Sequence, residues 1–124
     1  MIDLVKSLMK FEKYKLAQGN IMIAFSDKNL SVGTMEIEPN QELAKHNRPV
    51  WESLYQIKGK CTMKLFEDDG SIKEVVLNEG KSIDIPPLKF HIHSNPFDQN
   101  SITFWRANGD ITKIIDNIRK NSEM

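Results

Sequence analysis

The sequence predicts an all-β domain, a sandwich or small barrel, that ends in one α-helix. Short apolar runs recur along the middle of the chain, with turn residues between them at a spacing of about 8–12 residues. Cys61, Met63 and Leu65 alternate with Thr62 and Lys64, the two-residue period of a half-buried strand. After Asp110 the period changes, and Ile111, Ile114, Ile115 and Ile118 make one helical stripe.

Taken in order, residues 3–9 read as a short helical turn with Leu4 and Leu8 on one face. Strand-like text begins at about residue 20. Ile21 to Phe25 is apolar, and Ser26-Asp-Lys-Asn turns the chain. Leu30 to Ile37 alternates loosely, then Glu38-Pro39-Asn40 turns it again. Leu54 to Ile57 runs up to Gly59, and the Cys61 strand follows. Glu67-Asp68-Asp69-Gly70 carries the Asp-Gly pair that favours tight hairpins. Ile72 to Leu77 returns, Asn78-Glu79-Gly80 turns, and Ile83 to Ile85 leads to Pro86-Pro87. Ile102 to Trp105 is the last strand-like run. Asp110 suits a helix start, and Arg119 and Lys120 suit the negative end of the helix dipole. The helix is expected to lie on the barrel wall or on a partner subunit.

A chain of 124 residues reads as one domain, 1–124, with a core barrel over about 20–107 and a helix over about 110–120. It can bury a core without disulfides or a structural metal. Seventeen basic residues balance 17 acidic ones and no long basic run occurs, which argues against nucleic acid or an anionic membrane as partner. There is no apolar stretch of about 18 residues that would span a membrane, and the first residues lack the pattern of a signal peptide. The lone Cys61 cannot pair within the chain, which fits a reducing cytoplasm. Among its sequence neighbours only Lys60 is basic, so a catalytic thiolate is not expected.

All three histidines, His46, His91 and His93, fall in two short segments. The first runs from His46 through Arg48 and Glu52 to Gln56 and Gly59. The second runs from Gly80 through Pro86 to His91, His93 and Asn95. Imidazoles with a carboxylate are a ligand set for a first-row metal that keeps open positions.

These segments resemble the two motifs of the cupin superfamily. The first motif there is a glycine, five residues, H-x-H, three or four residues, Glu, six residues and Gly. Here Asn40 stands at the first glycine, His46 and Glu52 at the first histidine and the glutamate, and Gly59 at the closing glycine. The second motif is G-x5-P-x-G-x2-H-x3-N. Gly80, Pro86, His91 and Asn95 match it position by position, and Leu88 replaces its inner glycine. The resemblance implies a small jelly-roll barrel, an all-β single-domain cupin with the helix appended, whose two motifs line one interior. It also implies a homodimer.

Arg48 occupies the place of the family's second histidine ligand, and a guanidinium does not ligate metal. The ligands implied are therefore His46, Glu52 and His91, for iron, manganese, nickel or zinc. Arg48, Gln56, His93 and Phe104 become candidates for the substrate pocket, and Glu52, His93 and Arg48 candidates for catalysis.

Plainer readings stand beside these. His46 precedes a turn and has a second reading as a solvated side chain, Glu52 has one as a surface carboxylate, and Arg48 reads first as a solvent-facing turn residue. His93 reads as a packed imidazole rather than a ligand, and Gln56 as an edge position. Phe90, Phe104, Trp105 and Met63 are core or pocket wall, while Trp51 and Tyr55 suit a subunit interface. The functions implied are a metal-dependent isomerase, epimerase or dioxygenase-type enzyme acting on a small anionic or sugar-like molecule, or a non-catalytic binding or sensor barrel with weak metal or none.

Overall fold

Ten strands and one helix follow each other in a computed structural model that describes residues 11–121. The helical turn expected over residues 3–9 lies outside the described residues. The strands are β1 (Glu12–Leu16), β2 (Gly19–Ser26), β3 (Ser31–Ile37), β4 (Gln41–Glu42), β5 (Trp51–Lys58), β6 (Cys61–Phe66), β7 (Ile72–Leu77), β8 (Ser82–Ile85), β9 (His91–Asn95) and β10 (Ser101–Asn108). Helix α1 (Thr112–Asn121) ends the described chain.

The strands make two antiparallel sheets. One runs β1-β2-β3-β10-β5-β8 and the other β4-β9-β6-β7. Alternation decides what goes inside. On the first sheet Ile21, Ile23, Met35, Ile37 and Leu54 point inward and are almost wholly buried; on the second Cys61, Met63 and Leu65 do the same. The expected jelly-roll barrel with its C-terminal helix is the observed architecture.

Two strands have no counterpart in the sequence reading. β1 precedes the expected barrel core and adds an edge to β2, with Tyr14 opposite Ile21. β4 is a two-residue strand opposite Ser94 and Asn95 of β9. Trp105 lies inside, opposite Gly33 of β3. A Cβ at Gly33 would come within 2.6 Å of the indole, so the missing side chain leaves room for the ring to lie across the strand. Helix α1 starts where the Asp110 carboxylate accepts the Thr112 N–H at 2.9 Å. The isoleucine stripe that begins just before it faces inward: Ile111, Ile115 and Ile118 are buried and Ile114 packs at their margin. The helix therefore covers the cavity between the sheets. Of the two expected seats, the barrel wall or a partner subunit, the helix within this chain packs its stripe on the barrel, over that cavity. Among the described residues no helix is long and apolar enough to cross a membrane.

Candidate metal centre

One antiparallel ladder gathers the three histidines. The His46 N–H donates to the His91 carbonyl at 3.0 Å, and the His91 N–H returns the bond to His46 at 2.8 Å. Residues directly opposite on a ladder share a face, and so do residues two apart on one strand. His46 therefore lies beside His91, and His93 joins them from the next inward position of β9. On the far side of β9, Leu65 and Met63 of β6 stand opposite His91 and His93. The ring centroids lie 4.4 Å apart for His46 and His91, 5.2 Å for His46 and His93, and 5.1 Å for His91 and His93.

Backbone carbonyls set two of the tautomers. His46 Nδ1 contacts the Ala44 carbonyl at 3.0 Å and His91 Nδ1 the Lys89 carbonyl at 2.9 Å. A carbonyl accepts only from N–H, so each Nδ1 carries the proton and each Nε2 presents a lone pair. These two Nε2 atoms, His93 Nδ1 and Glu52 Oε1 are buried and have no hydrogen-bond partner. Buried polar atoms are normally satisfied, so four such atoms at one place call for an explanation. A metal ion supplies it. One ligand atom from each histidine lies within 4.8 Å of the other two. Ligand atoms about 2.1 Å from a shared ion stand about 3.0–3.6 Å apart in cis, tetrahedral or trigonal positions, so rotamer adjustments that close the widest pair by about one to two ångströms complete the set.

Glu52 approaches from the other sheet, on β5 opposite Ala107 and Ile85. Its Oε1 lies 3.7 Å from His91 Nε2, too long for a hydrogen bond and close to the spacing of two ligands on one ion. The residues present thus fit a metal: His46, His91 and His93 would hold it, with Glu52 beside them. The grouping differs from the set expected from sequence: His93 enters it and Glu52 stands at its edge.

Electrostatics keep the imidazoles neutral, as ligation requires. Burial, reinforced by the Arg48 charge and then His91, lowers His46 to about 3. Burial lowers His91, against the Lys89 carbonyl, and holds His93 well below the ordinary histidine value. Burial raises Glu52 while the Arg48 charge opposes the shift.

The remaining candidates separate. Arg48 is buried rather than a solvated turn residue, and one N–H donates to the Asn47 carbonyl at 3.2 Å. With Glu52, His93 and Trp105 it lines a small cavity roofed by α1. Gln56 is wholly buried, not at an edge, and its amide is used up inside the barrel. It donates to Lys58 O and Ser101 Oγ, both at 2.9 Å, and accepts from Thr103 Oγ1 at 2.6 Å. Phe104 lies on the outer face: Ser101, Thr103, Trp105 and Ala107 take the inward positions of β10, which turns Phe104 away from the cavity. Met63 is core, Phe90 is about half exposed, and Trp105 is the aromatic that reaches the cavity. The Cys61 thiol is buried and pushed up to about 11 by desolvation, which removes it from nucleophilic chemistry. Sequence reading missed the indole N–H of Trp105 and the role of the α1 isoleucines as cavity wall. The stripe itself was the available signal.

No protein-family model matches the chain. Over 85 residues, 68% of its length, it is 34% identical to a 3-hydroxyanthranilate 3,4-dioxygenase of Cupriavidus pinatubonensis, and it spans 43% of that protein. Among solved structures, oxalate decarboxylase of Bacillus subtilis, described with Mn(II) centres, superposes on 80% of the chain with a TM-score of 0.72. The identity there is 24% and the match covers 28% of that chain, a likeness of fold. The chain thus spans less than half the length of either protein. With two cupin-like motifs meeting on one face of such a barrel, and with these relatives, the chain belongs to the cupin superfamily.

Proposed function

We propose that this protein is a metal-dependent cupin that acts on a small anionic molecule, with dioxygenase-type chemistry as the best-supported reaction. One observation carries the metal: three imidazoles gather with ligand atoms within 4.8 Å of one another, each with a buried, unpartnered nitrogen, and the buried, unpartnered Glu52 Oε1 lies 3.7 Å from one of them. Iron and manganese suit nitrogen ligands with an adjacent carboxylate, and nickel or zinc would also bind. The relative that acts as a dioxygenase and the fold neighbour with Mn(II) centres support that choice. When bound, such an ion supplies Lewis acidity and, if redox-active, electrons. The chain's own residues then exclude water with α1 and orient the ligand. Arg48, kept inside beside Glu52, attracts the anion. Glu52 favours isomerase or epimerase chemistry as a second reading, because burial raises its affinity for a proton next to the metal, where a proton carrier is needed.

Elemental analysis of the purified protein tests this. Near one transition metal per chain is expected, lost in His91→Ala and retained in Arg48→Ala. Metal bound by His91→Ala as tightly as by the parent would refute the site.

We also propose a homodimer through the outer face of the six-stranded sheet. There Trp51, Tyr55 and Ile57 stand about half exposed on β5, and Phe104 lies opposite Tyr55. Light scattering after gel filtration tests it, with Tyr55→Lys expected to give monomer. The single domain and a cytoplasmic location belong to the same proposal; the buried, unpaired Cys61 supports the latter.

A further inference from the structure

The cavity under α1 has two unlike ends. Arg48, Glu52 and His93 make the polar end. Ile21, Met35, Ile111 just before α1, and the α1 residues Ile114, Ile115 and Ile118 wall the rest. Trp105 joins the two: its ring is wall, and its indole N–H is buried without a hydrogen-bond partner. A buried donor without an acceptor is rare and points to an acceptor that comes from outside the chain. Arg48 is similarly underused. Its guanidinium offers five N–H donors, and among the described residues its hydrogen bond is to Asn47 O.

We infer that this cavity takes a small monocarboxylate with a compact apolar body. Its carboxylate would lie beside Arg48 and the Trp105 N–H, and its body against the isoleucines of α1. The inference rests on the proposed site for a small anion and narrows the class. Arg48 and the Trp105 N–H give the polar end donors without acceptors, which one carboxylate satisfies. At the other end the side chains among the described lining residues are isoleucines and Met35, which offer no good donor or acceptor. A hydroxyl buried there unpaired should weaken binding about tenfold or more, whereas each buried methylene should tighten it about fourfold. Sugars and hydroxy acids are thereby disfavoured, and branched aliphatic or aromatic acids favoured. The cavity encloses only about 20 Å³, room for about one water. Any organic ligand must therefore displace α1, and it reaches the site past the isoleucine face that selects it.

Calorimetry on the full chain tests this, with acetate, butyrate, 4-methylpentanoate, benzoate, benzamide and gluconate as probes and metal content measured on each sample. Affinity should rise at least tenfold from acetate to benzoate or 4-methylpentanoate and vanish for gluconate and benzamide. Ile114→Gln changes a half-buried wall residue; it should flatten the series at unchanged metal content. Arg48→Met should weaken all the acids together. Benzoate should also alter hydrogen exchange in α1. A flat series in the parent protein, equal binding of benzamide, or no acid bound at about 10 mM would overturn the inference. Metal-free protein that still ranks the acids would leave the inference standing and sink the metal proposal instead. Metal-replete protein with a flat series does the reverse.

Discussion

Among the described residues, Asn40 and Leu88 are the two non-glycine residues with left-handed backbone, at φ 60° and 67°. They stand where the cupin motifs carry glycine. The backbone path therefore persists after the residue that makes it easy has gone. Asn tolerates this conformation through local hydrogen bonding, but leucine does not. Leu88 is held by its neighbours: its N–H donates to Arg48 O at 2.7 Å, and its carbonyl accepts from Asn47 Nδ2 at 3.0 Å. These bonds fix the turn that carries Arg48 against the turn that leads into His91. Leu88 is also largely exposed, so its side chain contributes little to packing. Leu88→Gly should relieve the strain and, after the larger entropy of the unfolded glycine is subtracted, stabilise the fold by about 1 kcal/mol. A thermal melt should rise by about 3–5 °C. An unchanged or lower midpoint would mean that the backbone at Leu88 is not strained. Both departures were visible in sequence as mismatched glycines. Their conformation was not, because sequence reading cannot tell a lost turn from a turn kept under strain.

At the scale of elements, the strands read from alternation are present, and those that were missed have physical reasons. β1 is an edge strand that buries one face only, so Tyr14 and Leu16 are its whole apolar signal between exposed Lys13 and Lys15. β4 has both residues exposed and hence no apolar signal at all, yet its ladder to β9 leads into the pairing that brings His46 opposite His91. Sequence spacing identified the histidines. It could not rank His93, because ligation depends on which strand lies across from β9. The helix was legible from its stripe, but its seat was not, since the cavity it covers exists only once both sheets meet. Arg119 holds that seat from the far end of α1. Its Nε and a terminal nitrogen donate to the two Glu12 oxygens of β1 at 2.9 and 2.8 Å. Both side chains are about one-third exposed or more, so the pair is worth at most about 1 kcal/mol globally. It bears chiefly on opening of the helix. Arg119→Ala should speed removal of bound Co(II) by a chelator about two- to fivefold, with a thermal midpoint lowered only slightly. The exchanged pair Glu12→Arg with Arg119→Glu should restore the slower rate. If metal leaves both proteins at the parental rate, the ion pair does not latch the helix.

For the molecule as a whole, the burial that builds the site also sets how stability responds to acid. In the unfolded chain each histidine titrates near 6.5. In the folded, metal-free protein His46 is lowered to about 3, and His91 and His93 are lowered as well. As pH falls below about 6.5 the unfolded chain binds protons that the folded chain refuses, so stability is lost on acidification. The slope approaches about 1.4 kcal/mol per pH unit for each imidazole involved. Glu52 works the other way. Its folded pKa is raised, so its contribution is complete at low pH and is lost as pH rises through the folded value. One carboxyl does not offset three imidazoles, and the net effect of acid remains destabilising. Urea titrations of chelator-treated protein between pH 8 and 5 should therefore give a midpoint that is flat above about 7 and falls steadily below it. His46→Asn should flatten the fall by about one third, because one of the three depressed imidazoles is gone. A midpoint that holds constant down to pH 5 would mean that the histidines protonate in place, and a cluster that tolerates charge at such close range would not be a neutral ligand set. Metal-loaded protein should resist acid further, until protons compete with the ion for the same three nitrogens, and its transition should then coincide with metal release.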